Sequence, residues 1–110
     1  MQMINQTDAK IAELLAPFRS QIDHLDKSIV ELLVKRFEII HEVGVIKAAH
    51  NIPATLPDRV SEVITNASEY AAELSNDDDL IKEIYNLIVA LSCSLEDDII
   101  SAARVLKSIG

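Results

Sequence analysis

Glycine is nearly absent from this chain: Gly44 and the terminal Gly110 are the only two among 110 residues. That excludes Gly-rich phosphate loops, the dinucleotide-binding fingerprint and a series of tight hairpin turns. Tryptophan is missing and aromatics make up 4%, so few platforms exist for stacking bases. Basic residues are scarce, ten against eighteen acidic ones, for a net charge of −8. A broad basic surface for nucleic acid is therefore not expected. The single cysteine, Cys93, allows no internal disulfide and points to a reducing compartment. Residues 1–8 have neither the basic nor the apolar region of a signal peptide. The longest uncharged run, residues 84–95, has 12 residues, against the about 20 a membrane span needs. The expectation is a soluble, cytoplasmic protein with no membrane and no nucleic-acid partner.

What is present is helix. Apolar residues reach 49%, too many for a disordered chain, and the length suits one domain, residues 1–110. Pro17 fits the first turn of a helix. From there to residue 50 the only weak point is Gly44. Ile22, Leu25, Ile29, Leu32, Ile39, Val43 and Ile46 form a seam of alternating three- and four-residue steps. A helix of that length runs about 50 Å, longer than a globule of this size is wide, so it is expected to pair with a second chain. A short leading helix, capped near Thr7, is predicted to end before Pro17. Pro53 and Pro57 mark the clearest break. A second helix is predicted over residues 58–74, with Val60, Val63, Ile64, Ala67 and Ala71 on one face. Ser75, Asn76 and Asp77 offer caps for a third helix that runs to about residue 107. No strand pattern, repeat or low-complexity tract is seen, and the fold class is all-α.

Several charged residues sit where this pattern does not want them. Arg36 occupies the apolar seam, where a permanently charged guanidinium needs an anionic partner. Lys47, eleven residues on, lies within about 20° of the same face and about 16 Å further along the axis. The two either lean toward one small ligand or pair with acids such as Glu38 or Glu42. Arg19 is about 25 Å from Arg36 along the axis and about 100° around it. It is a surface arginine, or it serves the equivalent site of a two-fold partner. Arg59, at the start of the second helix, opposes the helix dipole. It is simply exposed, or it answers an outside anion. Glu96 closes the apolar run of the third helix, one turn beyond Ser92. It begins a solvated acidic stretch, or it sits at a buried edge with a cationic partner or a raised pKa.

Other chemistries find no support. His41 and Glu42 lack the second histidine of a zinc-protease helix. His24, His41 and His50 have no metal-ligand spacing, and no serine sits in a nucleophile elbow. Cys93 has the apolar setting of a core residue. No metal and no cofactor are expected.

Taken together, residues 18–26 (Phe18-Arg19-Ser20-Gln21-Ile22-Asp23-His24-Leu25-Asp26), Lys35-Arg36, Val45-Ile46-Lys47, Pro57-Asp58-Arg59-Val60, Ser92 and Glu96 resemble the all-helical chorismate mutase family, type II. The resemblance covers about residues 12–105. It implies a three-helix fold and an intertwined homodimer with two active sites, Arg36, Lys47 and Arg59 coming from one chain and Arg19 from the other. It also implies a small dicarboxylate substrate with an enolpyruvyl ether, bound by Arg19, Arg36, Arg59, Val60 and Ser92. Arginine suits carboxylates because it binds them bidentately. By the same resemblance Arg36, Lys47 and Glu96 are catalytic, with Lys47 and Glu96 donating hydrogen bonds to the ether oxygen. The implied [3,3] rearrangement is intramolecular and needs no acid, base or cofactor, only a compact conformer and stabilised charge.

Two positions depart from the family pattern. Many members carry Gln where this chain has Glu96. An ionised carboxylate cannot donate, so Glu96 is expected to hold a proton in the working complex. Chorismate mutases often place Glu directly after the arginine at 59, and an acid at 56. Here those positions are Val60 and Leu56. The Pro-x-Arg-Val form resembles isochorismate pyruvate lyases and 4-amino-4-deoxychorismate mutases, and residues 93–97 resemble the latter. The reading is a chorismate-to-prephenate mutase or an enzyme of a close analogue. The alternatives are isochorismate cleavage to salicylate and a non-catalytic helical dimer for protein interaction.

Overall fold

The computed structural model describes the backbone of residues 6–109 and the side chains of residues 8–109. Three helices account for almost all of it: α1 (Gln6–Ala49), α2 (Pro57–Leu74) and α3 (Asp78–Ile109). No strand occurs among the described residues. The chain is all-α, as its periodicity predicts.

The separate leading helix does not exist. α1 runs without a break through Pro17. Proline removes one donor and crowds the carbonyl four residues earlier, here that of Glu13. The neighbours include good helix formers and are exposed, so water can take up the freed carbonyl. Pro17 O also accepts a hydrogen bond from Gln21 Nε2 at 3.3 Å. Thr7 lies inside the helix, and its capping side chain falls outside the described residues.

The other ends follow their local chemistry. α1 stops at a left-handed Asn51 (φ 56°), with Ile52 N–H donating to Lys47 O at 3.0 Å. This is the six-to-one bond of a Schellman motif, and asparagine is the residue after glycine that tolerates the conformation best. Pro57 opens α2, where its missing N–H costs nothing. Ser75 closes α2 through its N–H to Ala71 O (2.9 Å), and Ile81 N–H donates to Asp77 O (3.0 Å) to start α3. The Ser75 hydroxyl joins the two ends, donating to Asp77 Oδ2 at 3.0 Å and accepting from Asp77 N–H at 3.2 Å. Asp78 and Asp79 fill the first turn of α3, where the dipole favours them.

The chain divides after Arg36 into two compact units. In the first, Phe18 and the seam residues Ile22, Leu25, Ile29 and Leu32 are all exposed, Leu32 by 64%. In the second, α2 packs on α3 through the predicted face of α2. Ala71 is buried, and Val60, Val63, Ile64 and Ala67 are half-buried. Ala54, Val89 and Ile100 complete the buried apolar set. The end of α1 joins this unit at Gly44, where an added Cβ would stand 2.9 Å from Ile99 Cδ1 and 3.3 Å from Ile99 Cβ. This close approach turns the face of Ile40, Val43, Gly44 and Lys47 inward. Ile39 and Ile46, seam positions by their spacing, point outward instead.

Candidate active site

Among the described residues, the second unit brings two opposite charges together away from water. α1 delivers Lys47 in its last turn, and α3 delivers Glu96, which is only 4% exposed. Lys47 Nζ stands 2.6 Å from Glu96 Oε1. The close packing at Gly44 and Ile99, three residues before Lys47 and three after Glu96, brings the two helices near enough for this. The pairing answers both sequence alternatives. Lys47 does not turn to Glu38 or Glu42, and Glu96 is no solvated acid.

Lys47 Nζ also donates to the backbone carbonyl of Ala54 at 2.8 Å. Glu96 Oε1 has the ammonium as its counter-ion but no aligned hydrogen-bond donor among the described residues. The contact between them is therefore electrostatic. A lysine has three N–H donors and no acceptor, so the hydrogen bond to Ala54 O leaves capacity for further acceptors. Ser92, one turn before Glu96 on the same face of α3, is 3% exposed and donates to Ile88 O at 2.8 Å. This satisfies a hydroxyl that burial would otherwise leave unpaired.

The remaining candidates are placed as follows. Arg59 lies exposed in the first turn of α2, where its Nη1 contacts Glu62 Oε1. An intrahelical acid thus offsets the unfavourable dipole at that end. Val60 is half-buried, and its N–H donates to Leu56 O at 3.0 Å. Arg36 ends the first unit, half-buried and engaged by other groups. Arg19, in the middle of that unit, lines an open hollow of about 510 Å³ with Ser20, Asp23, His24 and Lys27. Lys47, Glu96 and Ser92 are thus brought together, whereas Arg59 is directed to Glu62.

Sequence reasoning missed Ala54. Its contribution is a backbone oxygen, which every residue type carries, so no residue-type signal marks it. It missed Glu62 as well, although the three-residue spacing from Arg59 on one helix was visible. Among the described residues no cluster of three or more His, Cys, Asp or Glu side chains is arranged to hold a metal ion. No helix among them is long and apolar enough to cross a membrane.

A family model described as chorismate mutase type II matches residues 18–97, a span that includes Lys47, Ala54, Ser92 and Glu96. The T-protein of Enterobacter agglomerans is 34% identical over 88 residues, covering 80% of this chain and 23% of that protein. The chain thus spans less than a quarter of that relative's length. The 4-amino-4-deoxychorismate mutase of Streptomyces pristinaespiralis is 29% identical over 94 residues, covering 86% of this chain and 73% of the relative. Its namesake from Streptomyces venezuelae is 29% identical over 87 residues, covering 79% and 84%.

Proposed function

This chain belongs to the chorismate mutase type II family, and from that premise we propose that it catalyses the [3,3] rearrangement of chorismate to prephenate. The observation that carries the reading is the buried pair of Lys47 and Glu96 at 2.6 Å, set beside Ser92 within the matched segment. The reaction breaks a C–O bond and forms a C–C bond within one molecule. Negative charge grows on the ether oxygen as the bond breaks, and fixed donors aimed at that oxygen lower the barrier. Lys47 is one donor. Glu96 is the second, in the protonated form that alone can donate. Arg36 and Arg59 grip the two carboxylates with Arg19 of a second copy and hold the extended ether compact. Ser92 and Val60 line the pocket.

The active form in this reading is a homodimer. The exposed stripe from Phe18 to Leu32 supports it, because contiguous apolar surface of this kind marks an interaction site. Four of the ten basic residues then converge on one dianion, which lets an acidic chain bind an acidic ligand by its local field.

A second reading, rearrangement of 4-amino-4-deoxychorismate, is favoured by Val60. An apolar side chain there offers no acceptor to a ring hydroxyl and gives up the discrimination such an acceptor provides. The two Streptomyces relatives carry that activity in their names. Incubation with chorismate, isochorismate and 4-amino-4-deoxychorismate separately, with products identified by mass, tests both. Prephenate from chorismate is the expected result. Turnover of the amino analogue alone selects the second reading. Salicylate with pyruvate assigns a lyase, and no turnover of any of the three leaves a non-catalytic helical dimer.

A further inference from the structure

The geometry assigns Asn51 as the positioning residue for Lys47, an inference that rests on the proposed role of Lys47 as a donor to the ether oxygen. Lys47 is tied to the chain that follows it at two points. Its carbonyl accepts from Ile52 N–H at 3.0 Å, and its ammonium donates to Ala54 O at 2.8 Å. Between these two bonds lies the reversal at Asn51, the one non-glycine residue with positive φ among the described residues (56°). The left-handed turn folds residues 52–54 back over the last turn of α1. Ala54 ends 5% exposed, with its carbonyl against Nζ.

This acceptor differs from Glu96 in kind. A backbone carbonyl is fixed by the path of the loop, so its grip on Nζ persists when a ligand displaces Glu96. Without Ala54 O, Nζ would be located only by a side chain that makes no aligned hydrogen bond to it. A long, flexible ammonium side chain held by a fixed carbonyl and a buried counter-ion is pre-organised. A donor misplaced by an ångström or so loses about tenfold to hundredfold in rate. Asn51 touches neither the ion pair nor, in this reading, the substrate. It acts through the path of the loop.

The test compares Asn51→Ala, Asn51→Gly and Asn51→Ser with a control, Asp77→Ala, which removes the carboxylate that Ser75 bonds between α2 and α3. Stability is measured by urea titration, kcat and KM by substrate depletion, and the Lys47 Nζ–Ala54 O distance by crystallography. Alanine resists a left-handed backbone and glycine accepts it. Asn51→Ala is expected to lower kcat about tenfold or more with little change in KM, and to lengthen the Nζ–O distance beyond hydrogen-bonding range. Asn51→Gly keeps both close to wild type. Asp77→Ala loses stability but keeps kcat. Should Asn51→Ala fail to fold, Asn51→Ser is expected to show the same changes to a smaller degree.

An Asn51→Ala protein that retains kcat, or a crystal structure of it with the 2.8 Å contact intact, overturns the assignment. So does an Asn51→Gly protein as impaired as Asn51→Ala. If the wild-type protein turns over none of the three substrates, the functional reading fails. The crystallographic comparison then decides the positioning role alone.

Discussion

Lys47 and Glu96 illustrate how far a single pair of side chains shapes both stability and chemistry. With both side chains mostly withdrawn from water, neither charge is tolerable without the other. Lys47→Met strands a buried carboxylate and is expected to lower the unfolding free energy by about 3–5 kcal/mol. Adding Glu96→Leu removes the stranded charge and should restore most of that loss, since apolar replacements of buried pairs are often neutral. A urea double-mutant cycle measures this, and additive losses would mean the two groups do not interact. Exchange of the carboxyl for an amide tests the donor role. Glu96→Gln presents an N–H to the ether oxygen and is expected to keep or raise kcat, whereas Glu96→Ala loses the group altogether and lowers kcat about tenfold or more. A Glu96→Gln protein as impaired as Glu96→Ala would reject the role.

At the scale of helices, the α1–α3 contact is set by the absence of one side chain. Gly44→Ala adds a methyl group 2.9 Å from Ile99 Cδ1 and 3.3 Å from its Cβ. Alanine gains about 1 kcal/mol of helix propensity over glycine, but overpacking costs about 1–3 kcal/mol. The net expectation is a loss of about 1 kcal/mol, together with displacement of Lys47 from Glu96 and reduced kcat. Ile99→Val deletes Cδ1 and should recover part of both in the double variant. Thermal melts with kinetics on the single and double variants check this.

The same contact explains what the sequence disclosed and what it concealed. Ser75 and Asp77, read as caps of α3, bond to each other, whereas the α2 face was legible because it depends on neighbours along one helix. The inward face of α1 near residue 44 was not, because it depends on how closely another helix approaches. Pro17 misled for a related reason: the rule against proline inside a helix assumes that the freed carbonyl has no other partner. In the site, residue types revealed Lys47, Ser92 and Glu96 as misplaced polar groups. The carbonyl of Ala54 carries no residue-type signal, and the spacing of Arg59 and Glu62 was visible without marking them as partners.

For the molecule as a whole, the exposed stripe on α1 and the proposed donation of Arg19 lead to a complementation experiment. Arg19→Ala and Lys47→Ala homodimers each lack one essential group in both sites and are expected to be nearly inactive. When the two chains are unfolded together and refolded, about half of the dimers are mixed. Each mixed dimer has one site with both groups intact, so activity should return to about a quarter of wild type. No recovery, with sedimentation showing that mixed dimers formed, would place all the cations of a site on one chain.

The dual hold on the Lys47 ammonium also marks it chemically. Lys10, Lys27, Lys35, Lys82 and Lys107 are exposed, whereas the Lys47 side chain is only 14% exposed. Amine-directed acylating reagents should therefore label those five first and Lys47 last. The lag at that one residue would report an assembled site even in a sample with no substrate present.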